Sequence, residues 1–312
     1  MTESRPHALF CFGTLLDPRV QTALFGRTVP TEAATLAGHA TRPLAVAGDS
    51  VTAAGGRDVR PTLARKLGAT VEGGVLRLSD RELAAADDHE IDDHVRRRVT
   101  LASGETAWAH LDARPLRAAA RIVIVGDSIA YGRCDPEGGW AGQFATAHIA
   151  ADEHAHRVFN LAVPGSTLAD VGEQTPALLP PRHPDTIVVA AGINDSAVPL
   201  AASDTGIDGL RDITGPLDAL LATARRHHAR LVVLGPLWLD ESCTGDFEGL
   251  RFTAARALEL RAALRTWCAE HHVDHLDLWE PLRDRPELFV DGLHPGTEGH
   301  KELYRYLSAH HC

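Results

Sequence analysis

A serine, a histidine and an aspartate in the second half of this chain could together perform acyl transfer. Ser128 lies in a Gly-Asp-Ser-Ile block directly after an apolar run, and Asp291 and His294 stand together near the end of the 312 residues. A serine hydroxyl needs a neighbouring base to become a nucleophile, and a histidine base needs a carboxylate to orient it. The sequence therefore predicts Ser128 as nucleophile, His294 as general base and Asp291 as its partner.

Three further groups could donate hydrogen bonds to the oxyanion of such a reaction. The backbone N–H of Ser128 would point into the site from the start of a helix, and Gly165 could offer its N–H at close range because it lacks a side chain. Asn194, in a Gly-Ile-Asn-Asp block, could add a side-chain amide. Donors that converge on one oxygen stabilise a tetrahedral intermediate. We therefore expect Ser128, Gly165 and Asn194 to form an oxyanion hole.

The first third of the chain carries a different candidate site. A strand-like run ends in Phe12, Gly13, Thr14 and Leu15, whose backbone N–H groups would suit a carboxylate ligand. Glu90 follows an apolar helical stretch, and partial burial would raise the pKa of its carboxyl group. Glu90 could therefore act as acid and base on a bound substrate, or it could be a solvated charge at the end of a helix.

The elements that must position these residues divide into two predicted domains. Residues 113–120 carry no clear amphipathic period and precede a new apolar strand, which favours a linker there. A chain of this length commonly forms two domains. We predict one domain over residues 1–115 and another over residues 120–312.

The first predicted domain combines short strands with few helices, which is typical of a small α+β or barrel-like unit. Ser79 can cap a helix over residues 80–88, with Glu82 bonding back to complete a capping box. The other elements expected here are a helix over residues 18–25 and strands over residues 8–12, 69–76, 97–101 and 107–111.

The second predicted domain alternates apolar strands with helices, which favours a parallel sheet covered on both faces. Strands are expected over residues 121–125, 157–162, 186–191, 230–234 and 275–278, and helices over residues 140–151, 169–179, 209–227, 251–271 and 296–310. In such sheets ligands bind beyond the carboxyl ends of the strands. Ser128, Asn194 and the loop after Leu234 all follow strands, so we expect them at that edge.

Four blocks of the second domain resemble those of the SGNH/GDSL hydrolase superfamily. The blocks are those around Ser128, from Asn160 to Gly165, around Asn194, and from Asp291 to His294. The resemblance covers roughly residues 120–312 and implies a three-layer α/β/α, flavodoxin-like fold, a Ser-His-Asp triad and no metal or other cofactor. Its minor departures are Ile129, Ala162 and Pro164, where the family usually has Leu, Gly and Ser.

The first domain resembles the gamma-glutamylcyclotransferase-like family over roughly residues 7–112. Residues 12–15 match the loop that cradles substrate in that family, Asp87 its helix aspartate and Glu90 its catalytic acid and base. His94 and Arg96 correspond to the family's Tyr and Arg. The departures are Phe12, Ile91 and His94, in place of Tyr, Gly and Tyr. The resemblance implies that the α-amine of a γ-glutamyl amine attacks its own γ-carbonyl, releasing 5-oxoproline and an amine.

Net charge, apolar content and the spacing of histidines and cysteines limit the kinds of partner that the sequence predicts. The net charge is −11, with the acidic excess in the second domain, and nucleic acid is not expected because phosphate binding favours a basic surface. No apolar stretch approaches the length of a membrane span, and no secretory leader is evident. The 18 histidines lack zinc-protease spacing, and the 5 cysteines lack CxxC spacing. These features predict a cytoplasmic protein with free thiols and no metal.

The sequence thus leaves the acyl group, the amine and the oligomeric state open but predicts a bifunctional enzyme. The second domain would be a serine esterase or acyl hydrolase acting on a small-molecule ester, and the first a cyclotransferase acting on a γ-glutamyl amine. Two alternatives stay open. The second domain could transfer its acyl group to an alcohol or amine that contacts residues 238–242, and the first could be a non-catalytic ligand-binding module.

Overall fold

The structure is a computed structural model that describes residues 4–45, 59–200 and 210–312. Contacts between Cα atoms divide the chain into two compact units, one that ends at Ala119 and one that begins at Ala120. The predicted linker is not an extended segment. Its Arg117 donates to both carboxylate oxygens of the fully buried Asp112, at 2.7 and 2.9 Å, so this turn is anchored to the last strand of the first unit.

The first unit is built on a five-stranded mixed sheet. Its strands are β1 (His7–Cys11), β2 (Thr31–Ala45), β3 (Val59–Leu78), β4 (His94–Thr100) and β5 (Thr106–Asp112), and its helices are α1 (Pro18–Phe25) and α2 (Asp80–His89). The strand order is β2-β3-β1-β5-β4, with β1 parallel to β5 and the other neighbours antiparallel. This unit is the predicted small α+β domain.

Both faces of this sheet are covered. Successive residues of a strand point to opposite faces, and in β1 Leu9 and Phe10 are both buried. Leu9 belongs to the cluster that includes Leu83 of α2, and Phe10 to a second cluster with Leu36 and Val75. The capping box expected at the start of α2 is present, because Ser79 N–H donates to Glu82 Oε2 at 2.9 Å and the Glu82 N–H to Ser79 Oγ at 3.4 Å.

The longest strand pair of this unit, β2 and β3, was predicted only in part from the sequence. β2 was not expected, and β3 begins ten residues before the predicted start at residue 69. Residues 31–45 are rich in Ala and lack the alternation of apolar and polar residues that marks a strand. Their conformation comes from pairing with β3, which continues on both sides of an irregularity at Gly38, where φ is +71°.

The second unit is a parallel sheet with helices. Its strands are β6 (Arg121–Gly126), β7 (Arg157–Asn160), β8 (Thr186–Ala190), β10 (Arg230–Leu234) and β12 (Asp274–Leu276), and a short antiparallel pair is formed by β9 (Val198–Pro199) and β11 (Leu250–Arg251). The main sheet has the order β12-β10-β8-β6-β7 with parallel neighbours throughout, which is the flavodoxin-like order.

The helices of this unit complete a three-layer α/β/α fold, as predicted. They are α3 (Ser128–Tyr131), α4 (Gly139–Ala151), α5 (Leu168–Leu178), α6 (Thr214–Arg226), α7 (Ala254–His271) and α8 (Thr297–His311). One core cluster joins the sheet to α5, α6 and α7 through Val171, Leu217 and Leu264, while α4 packs against α8. No helix in the described part of the chain is long and apolar enough to cross a membrane.

Most predicted boundaries in this unit lie within two residues of the observed ones, with α7 and α6 as the exceptions. α7 begins at Ala254 instead of residue 251, because Arg251 pairs with β9 and the Thr253 side chain caps the helix by accepting from the Arg256 N–H. The predicted start of α6 at residue 209 lies outside the described residues, and the helix is observed from Thr214.

Candidate active sites

The turn after β6 fixes the position of Ser128. Gly126 packs so closely on β8 that a Cβ there would lie 2.2 Å from the carbonyl oxygen of Ala190, so this turn requires glycine. Asp127 then caps α3, with its Oδ1 accepting from the Ile129 N–H at 2.9 Å. Ser128 is therefore the first residue of a helix at the carboxyl end of a central strand, and it is 5% exposed.

Ser128, His294 and Asp291 form a continuous hydrogen-bonded chain. Ser128 Oγ lies 2.8 Å from His294 Nε2, although the two residues are 166 positions apart. His294 Nδ1 lies 2.8 Å from Asp291 Oδ2. The other carboxylate oxygen of Asp291 accepts from the backbone N–H of His294 at 2.7 Å and of Leu293 at 3.0 Å, which holds the carboxylate in place.

Burial and these hydrogen bonds set the protonation of the pair. Burial lowers the pKa of His294, and its hydrogen bond to Asp291 offsets this in part. Burial tends to raise the pKa of Asp291, but hydrogen bonds from the backbone and side chain of His294 outweigh it, so the pKa is lowered. The pair therefore consists of an ionised carboxylate and a neutral imidazole near neutral pH, a state in which Nε2 can accept a proton.

The predicted oxyanion donors lie in three loops at the ends of neighbouring strands. Gly165 follows β7 with a φ of +83°, and open space surrounds the position where a Cβ would be. Asn194 lies in the 3-10 turn Ile193–Ser196 after β8, and its Nδ2 donates to the carbonyl oxygen of Ser166 at 2.9 Å. That bond orients the amide and leaves the second Nδ2 hydrogen for another acceptor.

Two aspartates next to the candidate residues stabilise these loops through hydrogen bonds to backbone N–H groups. Asp127 caps α3, and Asp195 Oδ2 accepts from the backbone N–H of Leu168 at 3.0 Å. Burial raises the pKa of both carboxyl groups, to about 7 for Asp127. Asn160 adds another brace, since its Nδ2 donates to the Ala130 carbonyl oxygen at 2.8 Å.

The loop expected to contact an acyl acceptor adjoins the aspartate–histidine block. The Asp240 N–H donates to the carbonyl oxygen of Gly292 at 2.8 Å. Gly292 has a φ of +83°, and a Cβ there would lie 2.6 Å from Cβ of Cys243. Trp238 packs edge-on against Phe289 at 5.5 Å between ring centroids, so this end of the loop contacts the segment that precedes Asp291.

Two further neighbours of His294 gave no signal in the sequence. The Phe247 ring lies 5.7 Å from the imidazole, between centroids. Cys134, in the turn after α3, is exposed, and its Sγ lies within 4.8 Å of a carboxylate oxygen of Asp291 and a ring nitrogen of His294. Among residues 4–45, 59–200 and 210–312, these three residues are the one group whose atoms are spaced to hold a metal ion.

The first unit contains a cavity of about 450 Å³ at the end of β1. All four residues of the predicted loop, 12–15, line it together with Glu90, and Phe10, Cys11, Val20 and Pro61 make much of the wall apolar. Burial raises the pKa of the Cys11 thiol to about 12, so this thiol is neutral near neutral pH.

Glu90 lies at the polar end of this cavity between two imidazoles. Its Oε2 is 2.9 Å from His94 Nδ1, and its Oε1 is 3.6 Å from His110 Nδ1. The other nitrogen of His110 lies 3.0 Å from Asp87 Oδ1, and Arg96 pairs with the same carboxylate at 3.3 Å. Asp87, Glu90, His94 and Arg96, which the sequence singled out, are thus brought together, and His110 is an unexpected member.

This arrangement reverses the pKa shift expected for Glu90. Burial raises the pKa, as predicted, but the hydrogen bond from His94 and the proximity of His110 outweigh burial and lower it. Glu90 is also no solvated charge at a helix end, because its side chain is 21% exposed and lines the cavity. The buried Nε2 of His94, also at this cavity, has no hydrogen-bond partner within the part of the chain that the structure describes.

The second unit thus belongs, by fold and site, to a class of flavodoxin-like α/β proteins with a hydrogen-bonded serine, histidine and aspartate at the strand ends. Residues 124–302 match the GDSL-like Lipase/Acylhydrolase family, and the chain belongs to this family. Residues 9–125 match the family described as Gamma-glutamyl cyclotransferase, AIG2-like. Both resemblances read from the sequence motifs are confirmed. Comparison with curated proteins gave no match.

Solved structures resemble the second unit. One is the lipase/acylhydrolase from Enterococcus faecalis, with 21% identity over 61% of this chain and 94% of that chain and a TM-score of 0.47. Another is the psychrotrophic esterase EstA from Pseudoalteromonas sp., with 16% identity, the same coverages and a TM-score of 0.46. A third is a catalytic mutant of Axe2, an acetylxylan esterase from Geobacillus stearothermophilus, with 14% identity, coverages of 61% and 93% and a TM-score of 0.48.

Proposed function

We propose that this protein is a bifunctional enzyme that hydrolyses a small-molecule ester in its second unit and releases 5-oxoproline from a γ-glutamyl amine in its first. The observation that carries the proposal is the hydrogen-bonded chain from Asp291 through His294 to Ser128, with both links at 2.8 Å. The family matches support a hydrolase and a cyclotransferase-like unit, both of which act on small molecules.

In the ester reaction, Ser128 Oγ attacks the carbonyl carbon while its proton passes to His294 Nε2. Asp291 accepts a hydrogen bond from Nδ1–H, which fixes the tautomer that leaves Nε2 free to accept and stabilises the imidazolium that forms. The imidazolium then gives the proton to the leaving alcohol, and an acyl-enzyme remains. In the second half of the reaction, water attacks the acyl-enzyme and gives a proton to His294 Nε2. The proton then passes to Ser128 Oγ, and the acid leaves.

The oxyanion of each tetrahedral intermediate would be held by the N–H groups of Ser128 and Gly165 and by Asn194 Nδ2. The bond from Asn194 to the Ser166 carbonyl oxygen supports this role, because an amide that is already oriented loses little freedom when it binds the oxyanion. The open space around Gly165 supports the approach of a substrate to its backbone.

The ester hydrolase is tested by trapping its intermediate. The protein is mixed with a p-nitrophenyl ester, quenched in acid, and the intact mass is measured, followed by peptide mapping. We expect an acyl adduct on Ser128 in the wild type and in the control Ser103→Ala, whose serine is exposed in the first unit. A burst of p-nitrophenol with no adduct on Ser128 would overturn the serine mechanism.

Transfer of the acyl group to an alcohol or amine is the second candidate for this unit. It is favoured by the loop that begins at Trp238, because the Asp240 N–H bonds to Gly292 beside the catalytic block and so puts this loop next to the acyl-enzyme. Added alcohols or amines would then divert the acyl group from water. Free acid that appears at the same rate with and without acceptors supports hydrolysis, and ester or amide as main product supports transfer.

In the first unit, Glu90 would take a proton from the α-ammonium group of the substrate, and the amine so formed would attack the γ-carbonyl carbon. The hydrogen bond from His94 keeps Glu90 ionised, as a base must be. Glu90 passes this proton to the leaving nitrogen as the γ-amide bond breaks, and the second proton that the attacking nitrogen loses also goes to the released amine, which leaves as an ammonium ion. The apolar walls around Phe12 and Val20 would fit the hydrocarbon part of the substrate.

A non-catalytic binding module remains the alternative for the first unit. The two hypotheses, a cyclotransferase and a binding module, are distinguished by incubating the wild-type protein with a panel of γ-glutamyl amines and measuring 5-oxoproline by mass spectrometry. Release of 5-oxoproline that is proportional to enzyme concentration supports the cyclotransferase. If the protein binds γ-glutamyl amines in calorimetry but converts none of them, the unit is a binding module.

A further inference from the structure

Cys134 stands in a conformation that a residue with a side chain adopts at a cost. Its φ is +70°, in the left-handed region that favours glycine. The turn that holds it is fixed at both sides, since the Arg133 N–H donates to the Ser128 carbonyl oxygen at 2.9 Å and Asp135 bonds to Thr297 at the start of α8 at 2.9 Å. A thiol is therefore held beside the proposed triad at a position where glycine would be relaxed.

The atoms around this thiol have the spacing of a metal site. The thiol sulfur, a carboxylate oxygen of Asp291 and a ring nitrogen of His294 lie within 4.8 Å of one another. In a tetrahedral zinc site with bonds of about 2.0–2.3 Å, ligand atoms are about 3.5 Å apart. To reach that spacing, the Cys134 sulfur would have to approach by at most about 1.3 Å, and the Asp291 oxygen and His294 Nδ1, which lie 2.8 Å apart, would have to separate by about 0.7 Å.

Charge and ligand type define the cation. A thiolate and a carboxylate together balance a divalent cation, and a neutral imidazole adds a third ligand without adding charge. Zn²⁺ and Co²⁺ bind sulfur, nitrogen and oxygen ligands in tetrahedral sites, whereas Mg²⁺ prefers oxygen ligands and octahedral geometry. Cys134 is exposed, so a cation has access from solvent, and water can supply the fourth ligand.

We propose that Cys134, Asp291 and His294 bind Zn²⁺, or a cation of the same class, and that this binding inhibits the ester hydrolase. The cation would bind Nδ1 of His294, the nitrogen next to Asp291, and the proton on Nδ1 would move to Nε2. The thiol proton of Cys134 would leave to solvent, so one proton is released for each cation bound. With a proton on Nε2, His294 can no longer accept the proton of Ser128, and nucleophilic attack stops.

Binding is measured without reference to activity. Co²⁺ is titrated into the protein, and the thiolate-to-metal absorption band and the bound stoichiometry by equilibrium dialysis are recorded. We expect the band and one cation per chain in the wild type and in Cys243→Ser, the matched variant of another exposed cysteine. Cys134→Ser and Cys134→Gly should lose both, and the glycine variant should fold well because of the positive φ. Equal binding in Cys134→Gly and the wild type would overturn the site.

Inhibition rests on the proposed ester hydrolase and is measured separately. Zn²⁺ should inhibit wild-type hydrolysis of a p-nitrophenyl ester, a chelator should restore it, and Mg²⁺ at the same concentration should have no effect. Cys134→Gly should need at least ~10-fold more Zn²⁺ for half inhibition, which corresponds to about 1.4 kcal/mol of binding free energy. Equal sensitivity of the two proteins overturns the proposal. Absence of hydrolysis in metal-free wild type would count against the hydrolase and leave the binding result standing.

Discussion

The two candidate sites organise their reactive groups in opposite ways. In the second unit, Ser128 Oγ and His294 Nε2 lie 2.8 Å apart and bond directly to each other. In the first unit, the reactive carboxylate of Glu90 faces a cavity of about 450 Å³. Nucleophilic catalysis needs a base within hydrogen-bond reach of the serine, whereas an intramolecular cyclisation needs a cavity that holds one substrate in a folded conformation.

The two sites also differ in the number of imidazoles that neighbour the carboxylate. A single carboxylate, Asp291, serves a single imidazole in the second unit, and the pKa values of both are lowered. In the first unit, two imidazoles serve one carboxylate, and the pKa of Glu90 falls against the effect of burial. A buried carboxyl group is thus not sufficient to predict a raised pKa, because neighbouring donors can decide the sign.

The largest expected effect is the loss of ester hydrolysis when Ser128 is removed, since only the second unit depends on this serine. Ser128→Ala should reduce the hydrolysis of a p-nitrophenyl ester by ~10³-fold or more, because no nucleophile remains to receive the acyl group. His294→Ala should have a similar effect. Both are measured by p-nitrophenol release, with 5-oxoproline release from a γ-glutamyl amine as the control that should stay unchanged. If Ser128→Ala hydrolyses the ester as fast as the wild type, Ser128 is not the nucleophile of the second unit.

Removing the carboxylate of the first unit should have the reciprocal result. Glu90→Gln should reduce 5-oxoproline release by roughly 10²-fold or more, since the amide cannot accept the ammonium proton. Hydrolysis of the p-nitrophenyl ester should be unaffected. The readout is the initial rate of 5-oxoproline formation by mass spectrometry. A rate that stays within twofold of the wild type would mean that Glu90 is not the base.

A smaller effect tests how the first unit sets the pKa of its carboxylate. The pKa of Glu90 is lowered chiefly by the His94 hydrogen bond, so Glu90 stays ionised to lower pH. In His94→Phe this donor is lost and the pKa rises, so the acid limb of 5-oxoproline release should move to higher pH by up to ~1 unit. The measurement is kcat/KM against pH, with His7→Gln as control. An unmoved acid limb would show that His94 does not control Glu90.

The smallest effect concerns the stability of the turn before Ser128. Burial raises the pKa of Asp127 to about 7 in the folded protein, above its value of roughly 3.9 in the unfolded chain. The folded state therefore binds this proton more tightly, and stability that is present below about pH 4 is lost as pH rises to about 7.

Asp127→Asn keeps an oxygen that can accept from the Ile129 N–H but cannot ionise. The variant should therefore gain stability relative to the wild type as pH rises, with a Tm advantage larger by about 2–4 °C at pH 8 than at pH 5. Differential scanning calorimetry at the two pH values measures this. A Tm difference that is constant with pH would mean that Asp127 is ionised in the folded protein at both values.

The sequence alone determined the parallel sheet of the second unit and the candidate residues at its edge. The runs before Ser128 and Asn194 are short, apolar and rich in β-branched residues, and each is followed by a helical stretch, so local periodicity was sufficient. The capping box at Ser79 could also be read locally, because its two partners are three residues apart. Strand β2 could not, because an alanine-rich segment has no strand signal before β3 pairs with it.

Tertiary structure alone decided which groups share a site and in which protonation state. Residue types predicted a serine, a histidine and an aspartate, but the 2.8 Å contact between Ser128 and His294 joins positions 166 apart. His110 and Cys134 gave no sequence signal, since neither lies within a recognisable motif, and the sheet and the turn after α3 bring them to their sites. The pKa of Glu90 depends on burial and on donors from β4 and β5, and such forces depend on distance in space instead of spacing along the chain.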